Sequence, residues 1–148
     1  MKTYIKNKFA QVEKIFTYRG HECIIIFTHH CVRNGYVSVK YDVDYEKLND
    51  KGACVHGGLT FSGRLPYDYG QSKNYYIGFD CGHCGDREDY LQAYKYGLIN
   101  ADECYERTAI QRKYDNDEVI RSIEYVTREC IRLVDWLSDI GEHYEDKD

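Results

Sequence analysis

A long amphipathic stretch near the C-terminus constrains the fold of this 148-residue chain more than any other feature. Asp115 and Glu118 fit a capping box at the start of this stretch, and Gly141 fits the position just beyond its end. A helix with one apolar face buries that face against another layer of structure. Apolar side chains recur there at steps of three and four, as on one helix face: Val119, Ile123, Val126, Cys130, Leu133, Leu137 and Ile140.

The segments that precede this helix are typical of antiparallel strands. Residues 9–30 predict a β-hairpin that turns at Tyr18-Arg19-Gly20-His21. The continuous apolar run at 22–28 indicates a strand that is buried on both faces. Asn34-Gly35 predicts a second turn. Further strands are predicted at residues 36–41, 54–62 and 75–79, the second of them interrupted by a bulge at Gly57-Gly58.

Strands come first and helices last, without β-α-β alternation, which predicts an α+β fold. We expect an antiparallel sheet of about five strands packed against the long C-terminal helix. The length suits a single domain over residues 1–148. Three segments carry weaker patterns: 42–53 (a loop or one helical turn), 63–74 (a long loop) and 87–110 (helix mixed with loop, with Asn100 capping a short helix). The ends, 1–8 and 142–148, are expected to fray.

Charge and cysteine content narrow the range of partners. The net charge of −5 and the pI of 5.7 argue against nonspecific binding to nucleic acid, which requires clustered Lys and Arg. No segment approaches the ~18 to 20 apolar residues of a membrane span. Seven cysteines, an odd number, and an N-terminus without an export signal favour reduced thiols and a cytoplasmic location. Sixteen tyrosines and the exposed edges of a small sheet favour a homodimer.

Residues with catalytic and metal-binding potential concentrate in two glycine-rich stretches at predicted strand ends. The stretch 76–86 presents Asp80, Cys81, His83, Cys84 and Asp86, and the stretch 55–63 places His56 before Gly57 and Gly58. Imidazole and carboxylate side chains are common ligands of zinc and similar divalent metals. We therefore expect a metal site that keeps a position for an activated water, as in a metal-dependent hydrolase. Its ligands would be His56, Asp80, His83 and Asp86.

The same stretches allow other interpretations. Cys81 and Cys84 have the spacing of a structural zinc half-site, but His29-His30-Cys31 or His56 would have to complete it. A redox role for this pair expects a β-α-β context that the chain lacks. Alternatively, the glycines form only turns, which Asp80 and Asp86 cap.

A pocket without metal is a further interpretation, because exposed amides in glycine-rich turns bind anions and tyrosine rings stack on bases. Such a pocket would take a small nucleotide-like ligand. Its expected lining is His56, Gly57, Gly58, Thr60, Arg64, Tyr36, Asp80 and His83.

These stretches resemble a family of small, mostly uncharacterised phage and prophage proteins over roughly residues 34–140. That family has a Gly-Tyr-Val segment, a His-Gly-Gly-Leu-Thr strand, a Gly-Phe-Asp-Cys-x-His-x-Gly-Asp strand and loop, and a Glu-Tyr-Val run in its last helix. The corresponding segments here are 35–37, 56–60, 78–86 and 124–126. Cys84 departs from the pattern, in which a small or apolar residue is usual.

The resemblance implies a phage-encoded protein in the host cytoplasm, where small accessory proteins often counter immunity. We expect it to sequester or hydrolyse a nucleotide signal. The alternative is a ligand-free, anti-CRISPR-like inhibitor that contacts a host immune protein through its tyrosine-rich, acidic surface.

Overall fold

The computed structural model describes residues 6–7, 10–65, 74–114 and 117–145, with side chains described for 10–65, 74–114 and 117–140. These residues confirm the α+β fold: one antiparallel sheet, ordered β1-β2-β3-β4-β6-β5, and a long C-terminal helix on one face. The strands are β1 (Lys6–Asn7), β2 (Ala10–Tyr18), β3 (His21–Thr28), β4 (Arg33–Val39), β5 (Phe61–Gly63) and β6 (Tyr75–Asp80). The helices are α1 (Tyr45–Asp50), α2 (Tyr90–Lys95), α3 (Ala101–Lys113) and α4 (Ile123–Glu145).

The β2–β3 hairpin is confirmed, and it turns through Arg19 and Gly20, both with positive φ (51° and 82°). Two successive residues of this kind suit the twist of a two-residue hairpin. The apolar run in β3 is buried on both faces of the sheet. Cys23 and Ile25 join the core cluster that includes α4, and Ile24 and Ile26 pack on the other side.

The α4 helix covers the sheet as expected, but it begins at Ile123 rather than near residue 115. Ser122 accepts a hydrogen bond from the Tyr125 amide at its Oγ (3.1 Å) and one from the Val126 amide at its carbonyl (3.0 Å), as at a helix start. Val119 lies before the helix, is 49% exposed and bridges to Asp86. The predicted capping box is therefore wrong at Glu118, and Asp115 lies outside the described residues. At its other end α4 continues past Gly141 to Glu145.

The predicted turn at Asn34-Gly35 is wrong, because both residues lie within β4. The chain instead turns at residues 29–32, where the Thr28 amide donates to the Val32 carbonyl (2.9 Å) and Cys31 adopts a φ of 66°. Gly35 serves close packing: a Cβ atom there would lie 2.5 Å from Cζ of Phe79.

The predicted strand at 54–62 is also wrong over most of its length, since only Phe61–Gly63 forms a strand. Gly57 and Gly58 have φ values of 69° and 80°, and the Gly58 amide donates to the Val55 carbonyl (3.0 Å). Two successive left-handed residues turn the chain and cannot continue a strand. This turn carries His56.

Among the weaker patterns, the helical turn is confirmed as α1, and Asn100 caps α3 in a full capping box. α3 extends to Lys113, beyond the short helix that was predicted. Part of the loop at 63–74 lies outside the described residues. Within the part of the chain that the structure describes, no helix combines the length and apolarity needed to cross a bilayer.

Candidate metal centre at the end of the sheet

The loop after β6 folds back on itself through its own acidic side chains. Oδ1 of Asp80 accepts from the Gly82 amide (3.0 Å), and Oδ2 of Asp86 accepts from the His83 amide (3.0 Å). The Asp86 amide in turn donates to the His83 carbonyl (2.9 Å). Short carboxylates commonly shape turns in this way. Asp80 and Asp86 therefore do cap the loop, and they also meet the histidines.

His56 lies at the centre of a polar cluster with α4. Its Nε2 is 2.8 Å from Oδ2 of Asp86, and its Nδ1 is 2.7 Å from the Tyr125 hydroxyl. Its backbone amide donates to Oε1 of Glu129 (2.7 Å). Because an ionised carboxylate only accepts, Nε2 of the neutral ring donates to Asp86 and Nδ1 accepts from the Tyr125 hydroxyl. Asp86 and Tyr125 thus orient this imidazole from two separate segments, and Glu129 holds the backbone of His56.

Asp86 is a buried carboxylate with a strong set of donors, and its side chain is 1% exposed. Nε of Arg121 donates to its Oδ1 at 2.8 Å. Burial pushes the pKa of Asp86 up, but the hydrogen bonds from Arg121, His56 and the His83 amide outweigh burial and lower the pKa below its usual value. The carboxylate is therefore ionised at neutral pH and can ligate a cation.

His83 completes a group of metal-ligating side chains. His56, His83 and Asp86 each offer one ligating atom, and these atoms lie within 4.8 Å of one another. The centroids of the His56 and His83 rings are 6.3 Å apart. Gly57 makes room for the second ring, because a Cβ atom at this position would lie 2.8 Å from Nδ1 of His83. The His83 side chain is 37% exposed, so the group opens to solvent on this side.

Asp80, the fourth predicted ligand, lies beside the group and not in it. Its Oδ1 and its carbonyl oxygen are 3.2 and 3.1 Å from Nδ1 of His83. Its Oδ2 accepts from the Thr60 hydroxyl (3.0 Å). A carboxylate in this position orients a ligating histidine from behind. Asp80 thus fits a supporting role better than a ligand role.

The structure does not gather the whole set expected to bind a nucleotide-like ligand. Gly57 lies against the His83 ring, Gly58 lies in the same turn, and the Thr60 hydroxyl donates to Asp80. Arg64 instead stacks on the Tyr75 ring (4.3 Å), at the opposite end of β6 from Asp80 and about 16 Å along the strand. Tyr36 packs edge-on against Phe61 (5.5 Å) on the sheet face away from α4.

A cavity of about 460 Å³ lies next to the loop, on the side of Asp80. Two carboxylates line it, so its local charge favours a cation or a neutral group over a phosphate. The lining residues are Thr28, His30, Val32, Asn34, Asp80, Gly82 and Glu88.

The cysteines of the loop do not act as a pair. Cys81 belongs to the core cluster, and burial, with the nearby charge of Asp86, raises the pKa of its thiol to about 12. Cys84 is exposed, and all seven cysteines are free thiols. Cys31, the thiol considered as a zinc partner, is buried against Phe27 and Ala93. A protonated core thiol such as Cys81 is a poor zinc ligand, because metals bind the thiolate.

Three members of the cluster did not follow from the sequence: Arg121, Tyr125 and Glu129. Tyr125 entered the sequence argument only as part of the Glu-Tyr-Val run. Glu129 did carry a signal, because it lies at helical spacing among apolar residues and is only 7% exposed. An acidic residue on the buried side of a helix implies a polar partner.

Comparisons with protein-family models, with curated proteins and with solved structures find no match to this chain.

Proposed function

We propose that this protein binds a divalent transition metal, zinc or a similar ion, through His56, His83 and Asp86. The observation that carries the proposal is the convergence of three ligating atoms to within 4.8 Å. The surroundings support it, because Tyr125 and Asp80 hold the two imidazoles from behind. Such outer partners fix ring orientation in metal sites.

Metal binding requires a small rearrangement and a change of tautomer at His56. In a tetrahedral site with bonds of about 2.0 to 2.1 Å, neighbouring ligand atoms lie about 3.3 Å apart. Nε2 of His56 and Oδ2 of Asp86, now 2.8 Å apart, would separate slightly as the ion replaces the Nε2 proton. Nδ1 of His56 would then carry the ring proton and donate to the Tyr125 oxygen. Because an imidazole that is protonated on both nitrogens cannot ligate a metal, metal affinity falls as the pH is lowered.

Arg121 makes the site selective. Its guanidinium shares Asp86 with the metal and reduces the negative charge that attracts a cation. Ions that depend on carboxylates, such as Mg²⁺ and Ca²⁺, would gain little from this set of ligands. Ions with a preference for imidazole, such as Zn²⁺, lose less binding energy when Arg121 shares the carboxylate. We therefore expect Zn²⁺ to bind and Mg²⁺ not to compete.

With His56, His83 and Asp86 as its protein ligands, a zinc ion would keep one position for water and would activate that water for attack on a phosphate or carbonyl group. Hydrolysis or sequestration of a small nucleotide-like ligand, in a phage accessory protein directed against host defence, stays a prediction that comes from the sequence resemblance. The anionic part of such a ligand would approach from the side of Arg121, since two carboxylates line the cavity on the side of Asp80.

Calorimetric titration of the untagged, chelator-treated protein tests the metal proposal. We expect one Zn²⁺ per chain, no competition by millimolar Mg²⁺, and loss of at least about a hundredfold in affinity in His83→Ala. His29→Ala is the matched control, because it removes an exposed imidazole that is not one of the three converging ligands. Equal zinc binding by His83→Ala and the wild type, or a loss confined to His29→Ala, would sink the proposal.

A further inference from the structure

The α3 helix lies on the protein with no buried side chain, although it has 13 residues and a complete capping box. Isolated helices of about this length are marginal in water, and most helices gain their stability from packing of an apolar face. Here α3 packs beside the short helix α2. No side chain of α3 therefore has the burial that a helix of this length normally gains within one chain.

Apolar side chains are concentrated at the same place. Most of the large apolar side chains that are exposed among the described residues lie on α2, on α3 or directly after α3: Leu91, Tyr94, Tyr105, Ile110 and Tyr114. A groove of about 450 Å³ runs between the two helices. Leu91, Tyr94 and Tyr105 line this groove, and exposed apolar surface of this kind is typical of contact sites.

The groove side of α3 has the pattern of a helix-pairing face. Its residues recur at steps of three and four, and most are small: Ala101, Cys104, Tyr105, Thr108, Ala109 and Arg112. Small side chains let two helices approach closely. Tyr105, 78% exposed, lines the groove on this face and is free to contact a second molecule.

Charge indicates what covers the face. Asp102 borders it near the start of α3, and Arg112 and Lys113 lie at its end. Residues 11 apart lie on the same side of a helix, so Asp102 and Lys113 occupy the same border. When a second copy of α3 lies antiparallel to the first, the acidic end of each helix lies beside the basic end of the other. We propose that this face pairs with the same face of a second copy of the chain, about a twofold axis.

In this dimer, Tyr105 of each copy packs over Ala109 and into the groove of the other. Asp102 of each copy lies opposite Arg112 and Lys113 of the second copy. The contact is isologous, as in most homodimers. A 13-residue helix is about 20 Å long, which is short for an interface that usually buries about 800 Å² per partner. The dimer is therefore weak, with a dissociation constant in the micromolar range.

Sedimentation velocity from about 5 to 300 μM tests the proposal, with reductant and chelator present so that neither a Cys104 disulfide nor a bridging metal links the chains. We expect a monomer–dimer equilibrium that Tyr105→Ser weakens at least about tenfold. Tyr41→Ser is the matched control, because Tyr41 is exposed but lies far along the chain from both helices. It should leave the equilibrium unchanged.

Charge reversal tests the antiparallel arrangement itself. Asp102→Lys alone places like charges at both ends of the contact, and so does the double variant Arg112→Glu/Lys113→Glu. Each should be monomeric at concentrations where the wild type dimerises. Mixed together, the two variants have opposite charges at both ends and should form a heterodimer that native mass spectrometry resolves. A monomeric wild type at 300 μM, or a mixture that stays monomeric, would overturn the proposal and leave the face for a different protein.

Discussion

At the scale of single residues, Gly57 sets the spacing of the candidate centre. Its φ of 69° turns the chain after His56, and its lack of a side chain admits the His83 ring. A Cβ atom would lie 2.8 Å from Nδ1 of that ring, closer than real Cβ atoms come to any neighbour. The distance between the two imidazoles thus depends on a glycine that ligates nothing.

Gly57→Ala should weaken zinc binding about tenfold or more, because the new methyl group pushes His83 away from His56 and Asp86. Calorimetric titration measures this directly. Gly20→Ala is the control: Gly20 has a similar φ of 82° but has nothing within 4 Å of its Cβ position. It should cost about 1 kcal/mol of stability without changing metal affinity. Equal affinity in Gly57→Ala and the wild type would contradict the role given to Gly57.

Asp86 should make stability depend on pH in the acid range. Its pKa is lowered in the folded protein, since Arg121 and His56 outweigh the effect of burial. A carboxyl with a depressed folded pKa stabilises the fold above its unfolded pKa of about 4, and this contribution is lost as the pH falls through the folded pKa. In metal-free protein, Asp86→Asn should reduce stability at pH 7 by about 1 to 3 kcal/mol, and should flatten the loss of stability below pH 4.

Urea unfolding at pH 7 and at pH 3 gives both quantities. Asp135→Asn provides a comparison, because Asp135 also has a lowered pKa, through Arg19 and Tyr18, but is exposed to solvent. We expect Asp135→Asn to have the smaller effect. If the two variants changed the pH dependence equally, burial of Asp86 would not be the controlling factor.

At the scale of elements, a buried ion pair ties the sheet to α2 and to the segment before α4. Arg33 on β4 donates to both oxygens of Glu13 on β2 (2.7 and 3.1 Å), and both side chains are nearly inaccessible. Tyr96, just after α2, donates to the same carboxylate (2.6 Å). Arg33 also donates to the Arg121 carbonyl (3.1 Å). Burial lowers the pKa of Arg33, but Glu13 outweighs it and raises that pKa.

Removing one member of this pair should be costly, because it leaves a buried charge without its partner. Glu13→Gln should destabilise the protein by about 3 kcal/mol. The double variant Glu13→Leu/Arg33→Leu should lose clearly less than the sum of the two single leucine variants, since it leaves no buried charge. Urea denaturation of the wild type, the two single leucine variants and the double variant gives the coupling free energy between Glu13 and Arg33. Additive losses would show that the pair does not act as a unit.

Local patterns account for which elements could be predicted. The β2–β3 hairpin followed from a turn at Arg19-Gly20 between β-branched runs, and α4 followed from apolar spacing. The prediction of a strand at residues 54–62 is wrong over most of its length because Gly57 and Gly58 form a turn and not a bulge within a strand. The prediction that the last helix begins near residue 115 is wrong, because the backbone of Val119 pairs with the loop after β6. The Val119 amide donates to the Gly85 carbonyl (2.9 Å), and the Val119 carbonyl accepts from the Arg87 amide (2.9 Å).

At the scale of the whole molecule, the site likewise divides into residues that a local sequence pattern predicts and residues that only the folded chain brings together. His56, His83 and Asp86 could be predicted, because imidazole and carboxylate groups beside glycine turns stand out in the sequence. Their partners could not, since Tyr125 and Glu129 come from 69 and 73 residues beyond His56. No local pattern encodes a contact of that span, which depends on how α4 crosses the sheet. The sheet edges, β1 and β5, are short and ill suited to strand pairing, so α3 is the better surface for a dimer.

The pairing of residues 117–122 with the loop after β6 has a consequence for the order of events during synthesis. The two histidines and Asp86 are synthesised before Arg121, Tyr125 and Glu129. Until residues 121–129 emerge, Tyr125 does not hold Nδ1 of His56, and Arg121 does not help to compensate the burial of Asp86. The nascent chain should therefore have little affinity for metal, and the ability to capture an ion should appear only when the last helix docks and folding is complete.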